Sequence, residues 1–290
     1  APMPRYTQRR IDLYVLHAHL RDEPPDYTVF LEYLSSIPRP QRIGRIGSRV
    51  VAVTEIDDVA PHVAQLTVVE GDEDTVPVVL DMSTGADRDI ELGRSEVVVT
   101  KTYALIDFQA RFAFVMYNHR GAKAEDIAIL LRSLLRMNPD WEYLELAMTP
   151  AIDESFDRAI DRFSRITSAS AVIARPNFDW EDHAGQLLEA ADQSNAQDVE
   201  IAMHAGRGAS LSRDSGIVAF LKQQVVQNLP FLKDAVVRGY REGENAPTAI
   251  RLGRHIAHQR VRVPFDNRGQ VDERSIRHRL RAYWEGWRQT

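Results

Sequence analysis

The sequence predicts an α+β protein of two domains, on three observations. At 290 residues the chain exceeds the usual size of a single hydrophobic core. Up to about residue 138 it alternates apolar and polar residues in strand fashion, with few helical stretches. After Pro139-Asp140 strands and helices take turns, the pattern of helices layered on a sheet. The expected division is residues 1–138, a strand-rich α+β domain, and residues 139–290, an α/β layered domain ending in a basic strand and helix.

Arg10 to Leu20 sets Ile11, Leu13, Val15, His17 and His19 against Asp12, Tyr14, Leu16 and Ala18, a strand. Pro24-Pro25-Asp26 starts a short helix carrying Phe30, Leu31 and Leu34, and Pro38 and Pro40 stop it. Strands follow at 49–56, 63–70 and 77–82, separated by turns rich in Gly, Asp and Glu. Residues 96–108 and 111–117 form a hairpin. Ala124–Leu135 is a helix with Ile127, Leu130, Leu131 and Leu134 on one side. In the second half, strands are expected at 141–148, 169–174 and 199–204, with helices at 153–165, 180–195 and 212–227. A β-rich stretch over 235–265 and a helix over 272–288 close the chain.

Hydrophobic residues make up 44% of the chain and charged residues 27%, enough apolar material for sizeable cores under an ordinary soluble surface. There is no cysteine, which excludes disulfides, Cys-bearing zinc sites and Cys nucleophiles and fits a reducing cytoplasmic setting. The first twenty residues lack a signal-peptide pattern, and no apolar run approaches the roughly 20 residues needed to span a bilayer. The net charge of −6 hides segregation. Glu55 to Glu91 holds eleven acids and one base; Ser36 to Arg49 holds four Arg and no acid; Lys233 to the end holds thirteen bases and seven acids. Such segregation concerns partners rather than fold.

Four constellations bear on chemistry. His17-Ala18-His19 puts two imidazoles on one strand face, as a divalent metal site or a metal-dependent hydrolase would require. The other histidines are scattered and no eightfold βα repeat is present, so a structural strand face is the simpler reading. Gly206-Arg207-Gly208 could cradle a phosphate between strand and helix, but it lacks the GK[ST] of a P-loop, so a plain turn is expected. No G-x-S-x-G elbow supports a serine triad. Asp153, Asp157 and Asp161 fall on one helical stripe beside Arg158 and Arg162, a pattern of surface ion pairs.

The basic segments point furthest. In the last helix Ile276, Leu280, Tyr283, Trp284 and Trp287 share one face, and Arg274, Arg277, Arg281 and Arg288 run alongside. That aromatic face is expected to dock on the protein body or to join a twofold interface. In the preceding strand His258, Arg260 and Arg262 alternate with Val261 and Val263. Arginine binds phosphate bidentately, so these rows suit a polyanion. The candidate DNA contacts are Arg39, Arg42, Arg45 and Arg49 in the first basic segment. In the second they are Arg251, Arg254, Arg260, Arg262, Arg274, Arg277 and Arg281.

The order of motifs resembles the RexA-type exclusion proteins of temperate phages. Val29-Phe30-Leu31 with Leu34 is similar to that family's early V-F-L-x-x-L helix. Ile46-Gly47-Ser48, a short strand and Ile56-Asp57 follow at the same spacing. Val172-Ile173 leads into Pro176-Asn177-Phe178, with one extra residue here, and Ala282-Tyr283 falls within the C-terminal helix. The resemblance implies a non-catalytic homodimer that binds double-stranded DNA without sequence preference in superinfection exclusion, beside a separate membrane partner protein. No cofactor, metal or small-molecule substrate is expected. The alternatives are a metal-dependent hydrolase or nuclease-type toxin using His17 and His19, and a protein-interaction scaffold.

Overall fold

The computed structural model describes residues 5–21, 23–75, 77–93, 95–153, 155–174, 194, 198–227, 232–244, 246–266 and 269–289. The helix expected over 180–195 and the Pro176-Asn177-Phe178 motif lie outside the described residues. Helix and strand mix in an α+β chain that falls into two compact units. One takes in the described residues within Ala1–Ile11, Ala18–Ala147 and Gln259–Thr290, the other those within Asp12–His17 and Met148–His258. This division differs from an expected boundary near residue 138, because the terminal strand and helix return to the first unit.

The larger sheet has the order β14-β1-β8-β7-β4-β3-β2, with β9 also paired to β1. Its strands are β1 (Tyr6–Leu20), β2 (Ile43–Ile46), β3 (Arg49–Ala60), β4 (Val63–Asp72), β7 (Val99–Asp107), β8 (Phe112–Met116), β9 (Leu144–Pro150) and β14 (His258–Pro264). Two short strands, β5 (Val78–Leu80) and β6 (Asp87–Asp89), pair only with each other as a separate hairpin. β4 is buried from Val63 to Val69, the polar Gln65 and Thr67 included, so it is covered on both faces. Gly71 near its end is a close approach: a Cβ there would come within 2.4 Å of the Val98 carbonyl oxygen.

Three helices cover this sheet. α1 (Phe30–Ser36) buries Phe30, Leu31 and Leu34, and Phe30 meets Phe108 and Trp141 edge-on. α2 (Ala124–Leu135) keeps the bounds its periodicity predicts; the Asp126 carboxylate accepts from the Lys123 N–H and closes its first turn. The C-terminal helix (Glu273–Arg288) is capped by Asp272, whose carboxylate accepts from Ser275 N–H and Oγ. It buries Ile276, Leu280 and Trp284 and sets Tyr283 and Trp287 against Phe114, Trp287 also meeting Phe112. The indole N–H of Trp284 donates to Asp107 at 2.8 Å. Of the two roles open to the aromatic face, the structure shows intramolecular docking.

The second unit holds β10 (Phe163–Ala174), β11 (Asp198–His204), β12 (Leu232–Arg241) and β13 (Thr248–Arg251) in the order β11-β10-β12-β13, every pair antiparallel. The regular alternation of elements therefore hides an antiparallel layer, not a series of parallel crossovers. Helices α3 (Ser155–Asp161) and the one over Gly216–Gln227 pack on it. Phe156, Ile160, Phe163, Ile166, Val218, Leu221 and Val237 fill the core. The helix expected over 153–165 stops at Asp161, and Phe163 already begins a strand. No helix among the described residues is long and apolar enough to cross a membrane.

Candidate nucleic-acid interface

The four arginines of the first basic segment sit at the end of α1 and on the β2–β3 hairpin, and three of them are occupied. Arg42 donates from Nε to the Ile37 carbonyl at 2.7 Å and from Nη2 to Ser35 at 3.0 Å, satisfying carbonyls at the end of α1. Burial, and then the neighbouring charge of Arg39, lower its pKa. Arg45 grips Glu73 with both Nη groups at 2.6 and 2.7 Å. Arg49 bridges Glu70 at 2.6 Å and Asp126 at 2.8 Å, and those bonds, Asp126 first, raise its pKa. Arg39 alone of the four is exposed without a polar partner among the described residues.

Arg277 repeats this on the C-terminal helix. It reaches Glu55, Asp57 and the Thr67 hydroxyl, the last at 2.8 Å, while its backbone carbonyl accepts from Gln65. Partial burial pushes the Glu55 pKa up, yet the Thr67 hydroxyl and the Arg277 guanidinium hold it below the ordinary value. The acidic run and the basic segments are thus partly each other's partners: Glu55, Asp57, Glu70 and Glu73 answer Arg277, Arg49 and Arg45. Segregation along the chain becomes neutralisation in space.

A row of exposed bases lies on the segment from β14 through the C-terminal helix. The alternation in β14 is as the sequence predicts, with Val261 and Val263 buried and His258, Arg260 and Arg262 exposed. Arg262 stacks over the Tyr6 ring at 5.0 Å, which holds its guanidinium in place while leaving its donors outward. The backbone turns tightly between strand and helix, Asp272 N–H donating to the Pro264 carbonyl and Phe265 bridging Val271. On the helix face away from the sheet Arg274, His278 and Arg281 follow at i, i+4, i+7, all exposed. Arg279 and Arg288 are exposed as well, Arg288 stacked over Trp284 at 5.2 Å. No carboxylate forms an ion pair with Arg260, Arg262 or Arg281 among the described residues, while Arg274 lies close to the Asp272 carboxylate, whose pKa is lowered first by its bonds to Ser275 and also by the Arg274 charge. Arg251 and Arg254 are also exposed, but on the second unit.

The remaining constellations resolve into structural contacts. The His17 ring Nε2 lies 3.1 Å from the Thr149 hydroxyl, and among the described residues no three His, Asp or Glu are grouped to hold a metal ion. The 206–208 segment is a turn tied to β10, with Ala205 N–H donating to the Thr167 carbonyl. The next helix starts only at Gly216, too far along to point its N-terminus at this turn. Asp157 and Asp161 do form ion pairs, but with Lys222 of the neighbouring helix at 3.3 and 2.8 Å.

Removing Arg49 is expected to matter for stability rather than ligand binding. It would leave the carboxylates of Glu70 and Asp126, only 12% and 8% exposed, without their cation. Arg49→Ala should lower unfolding free energy by about 2 kcal/mol, read by urea denaturation. Arg45→Ala breaks an exposed pair and should change it by no more than about 0.5 kcal/mol. Equal losses in the two variants would contradict this assignment.

In comparison with known proteins, the chain matches no family model and no curated protein.

Proposed function

We propose that this protein binds double-stranded DNA without sequence preference, through the strand–turn–helix segment 258–288, as a homodimer acting in phage exclusion and with no catalytic step of its own. The observation that carries the reading is the row of exposed arginines, Arg260, Arg262, Arg274 and Arg281, on one strand and the adjoining helix, none of them in an ion pair among the described residues, whereas Arg45, Arg49 and Arg277 are held by acids. Guanidinium groups free of carboxylates suit phosphate oxygens, and rows on a strand and an adjoining helix suit a repeating backbone. Contacts of this kind fix position on a duplex but carry no sequence information. The exclusion setting rests on the motif order from Val29-Phe30-Leu31 to Ala282-Tyr283. A membrane partner protein belongs to the same reading.

Gel-shift titrations with unrelated duplexes test the binding claim. Dissociation constants should agree within a few-fold across sequences at fixed salt. Selective binding to one sequence would reject the nonspecific reading, and no binding at low salt would reject DNA as the partner.

The homodimer is supported by a surface other than the aromatic helix face, which is already covered. The β5–β6 hairpin exposes Val78 by 57%, Leu80 by 60% and Met82 by 94%. A lone two-stranded hairpin is marginal in water and gains from a partner surface. Sedimentation at micromolar concentration should show a dimer, and Val78→Ser with Leu80→Ser and Met82→Ser should yield a folded monomer. A monomeric native protein, or a variant that stays dimeric, would remove the hairpin from this role.

A further inference from the structure

The sheet of the second unit has two unlike faces. On one, Ile166, Ala169 and Ala171 of β10 and Ala235 and Val237 of β12 lie in the core with α3 and the helix over Gly216–Gln227. The alternate residues of β12, Val236, Arg238 and Tyr240, take the other face. The register sets Arg251 opposite Val236, Ser168 opposite Arg238 and Arg165 opposite Tyr240, and residues paired across strands share a face. Arg238 and Arg251 are exposed, and Arg165, Ser168 and Tyr240 are partly so. A bulge makes this grouping. Arg165 and Ser168 are an odd number of positions apart, which in a regular strand puts them on opposite faces. The register shift between Ile166 and Ser168 passes over Thr167 and returns both to one face, while Ile166 and Ala169 both stay in the core. The Thr167 hydroxyl donates to the Arg238 carbonyl at 3.2 Å and ties the bulge to β12.

Charge on this face is sorted by position. None of Arg165, Arg238 and Arg251 forms an ion pair among the described residues. The Arg165 guanidinium carbon lies 4.4 Å from the centre of the Tyr240 ring, so a flat cation and an aromatic ring sit together. The exposed acids, Glu200 and Asp234, both stand opposite Val172, at the far end of the ladder. At about 3.4 Å per residue that end is about 20 Å from Arg165. The face is thus basic and aromatic at one end and acidic at the other.

We propose that the basic end of this sheet face binds single-stranded DNA, with phosphates on Arg238 and Arg251 and a base stacked at the Arg165–Tyr240 pair. Guanidinium groups without carboxylates fork onto phosphate oxygens. A ring or a guanidinium plane beside them accepts a base of any identity. A duplex keeps its bases stacked inside the helix, so only an unpaired strand uses that platform. Glu200 and Asp234 repel the backbone and confine the strand to the basic end. The choice of DNA over RNA rests on the duplex reading of segment 258–288; the stacking and the phosphate contacts are independent of it.

Fluorescence anisotropy of the full chain with a labelled single-stranded oligothymidylate tests the proposal, beside an oligouridylate, a blunt duplex and polyglutamate. The oligothymidylate should bind at low salt. Arg238→Ala with Arg251→Ala should weaken it by about tenfold or more and make the log–log salt slope shallower by about 1.4, at about 0.7 per phosphate on a single strand. Tyr240→Ala should weaken it by about tenfold, and Tyr240→Phe, which keeps the ring, should stay within a few-fold of native. Arg260→Ala with Arg262→Ala should leave it unchanged while weakening the duplex, so failure here and failure of the duplex reading are told apart. Thermal unfolding controls for folding. Arg238 and Arg251 are exposed, so that pair keeps the native transition and decides the matter if Tyr240→Ala does not fold. No binding at low salt, undiminished binding in the Arg238→Ala, Arg251→Ala variant, or full competition by polyglutamate would overturn the proposal. An oligouridylate bound about tenfold more tightly than the oligothymidylate would overturn the choice of DNA.

Discussion

Replacing Trp284 with alanine is expected to cost about 4 kcal/mol of stability, the largest effect of any single change on the C-terminal helix. The indole is only 5% exposed, and its N–H satisfies Asp107, itself 3% exposed. Truncation would leave a cavity between helix and sheet and remove a donor from a buried carboxylate, two losses that add in the same direction. With total stabilities commonly about 5–15 kcal/mol, the first unit would approach its unfolding threshold. Trp284→Phe should lose less, since it keeps most of the packing and forfeits mainly the hydrogen bond. Urea denaturation followed by near-UV circular dichroism checks both. A loss under about 1 kcal/mol in the alanine variant would mean that the helix is an appendage rather than part of the core.

Arg260→Ala with Arg262→Ala should weaken binding to every duplex alike, by about tenfold or more, through two lost charge-assisted phosphate contacts. Both side chains are exposed, so stability should shift by no more than about 0.5 kcal/mol for each substitution. The contrast is with Arg42→Ala and Arg45→Ala, once equal candidates. Arg42 is spent on the carbonyls of α1 and Arg45 on Glu73, so their loss should leave binding within a few-fold of native. Arg42→Ala should instead cost about 1 kcal/mol of stability through the unmet carbonyls. Affinity lost equally in both pairs would spread the interface over the β2–β3 hairpin.

Where a pattern had a single structural solution, the sequence was sufficient. Residues 124–135 could only be a helix, because Ile127, Leu130, Leu131 and Leu134 repeat at 3.6 residues and Asp126 closes the first turn. β14 followed from strict alternation of Arg260 and Arg262 with Val261 and Val263. The stretch after Asp153 had two solutions. Phe156, Ile160 and Phe163 fit a helical stripe at i, i+4, i+7, yet Phe163 belongs to β10, where pairing with β12 outweighs the local period. Side-chain partners were less legible still. Arg45 meets Glu73 across 28 residues and Arg277 meets Glu55 across 222, so charge counted along the chain could not show that three of the four bases of the first segment are already engaged.

The salt dependence of duplex binding tests the central claim most directly. Each phosphate contact releases counterions and contributes about 0.9 to the slope of log affinity against log salt. The native protein should therefore lose affinity steeply as salt rises. A variant carrying Arg260→Ala, Arg262→Ala, Arg274→Ala and Arg281→Ala should show a slope shallower by about 3.6 on any duplex. An unchanged slope in that folded variant would place the phosphate contacts elsewhere and contradict the assignment of segment 258–288 as the DNA-binding surface.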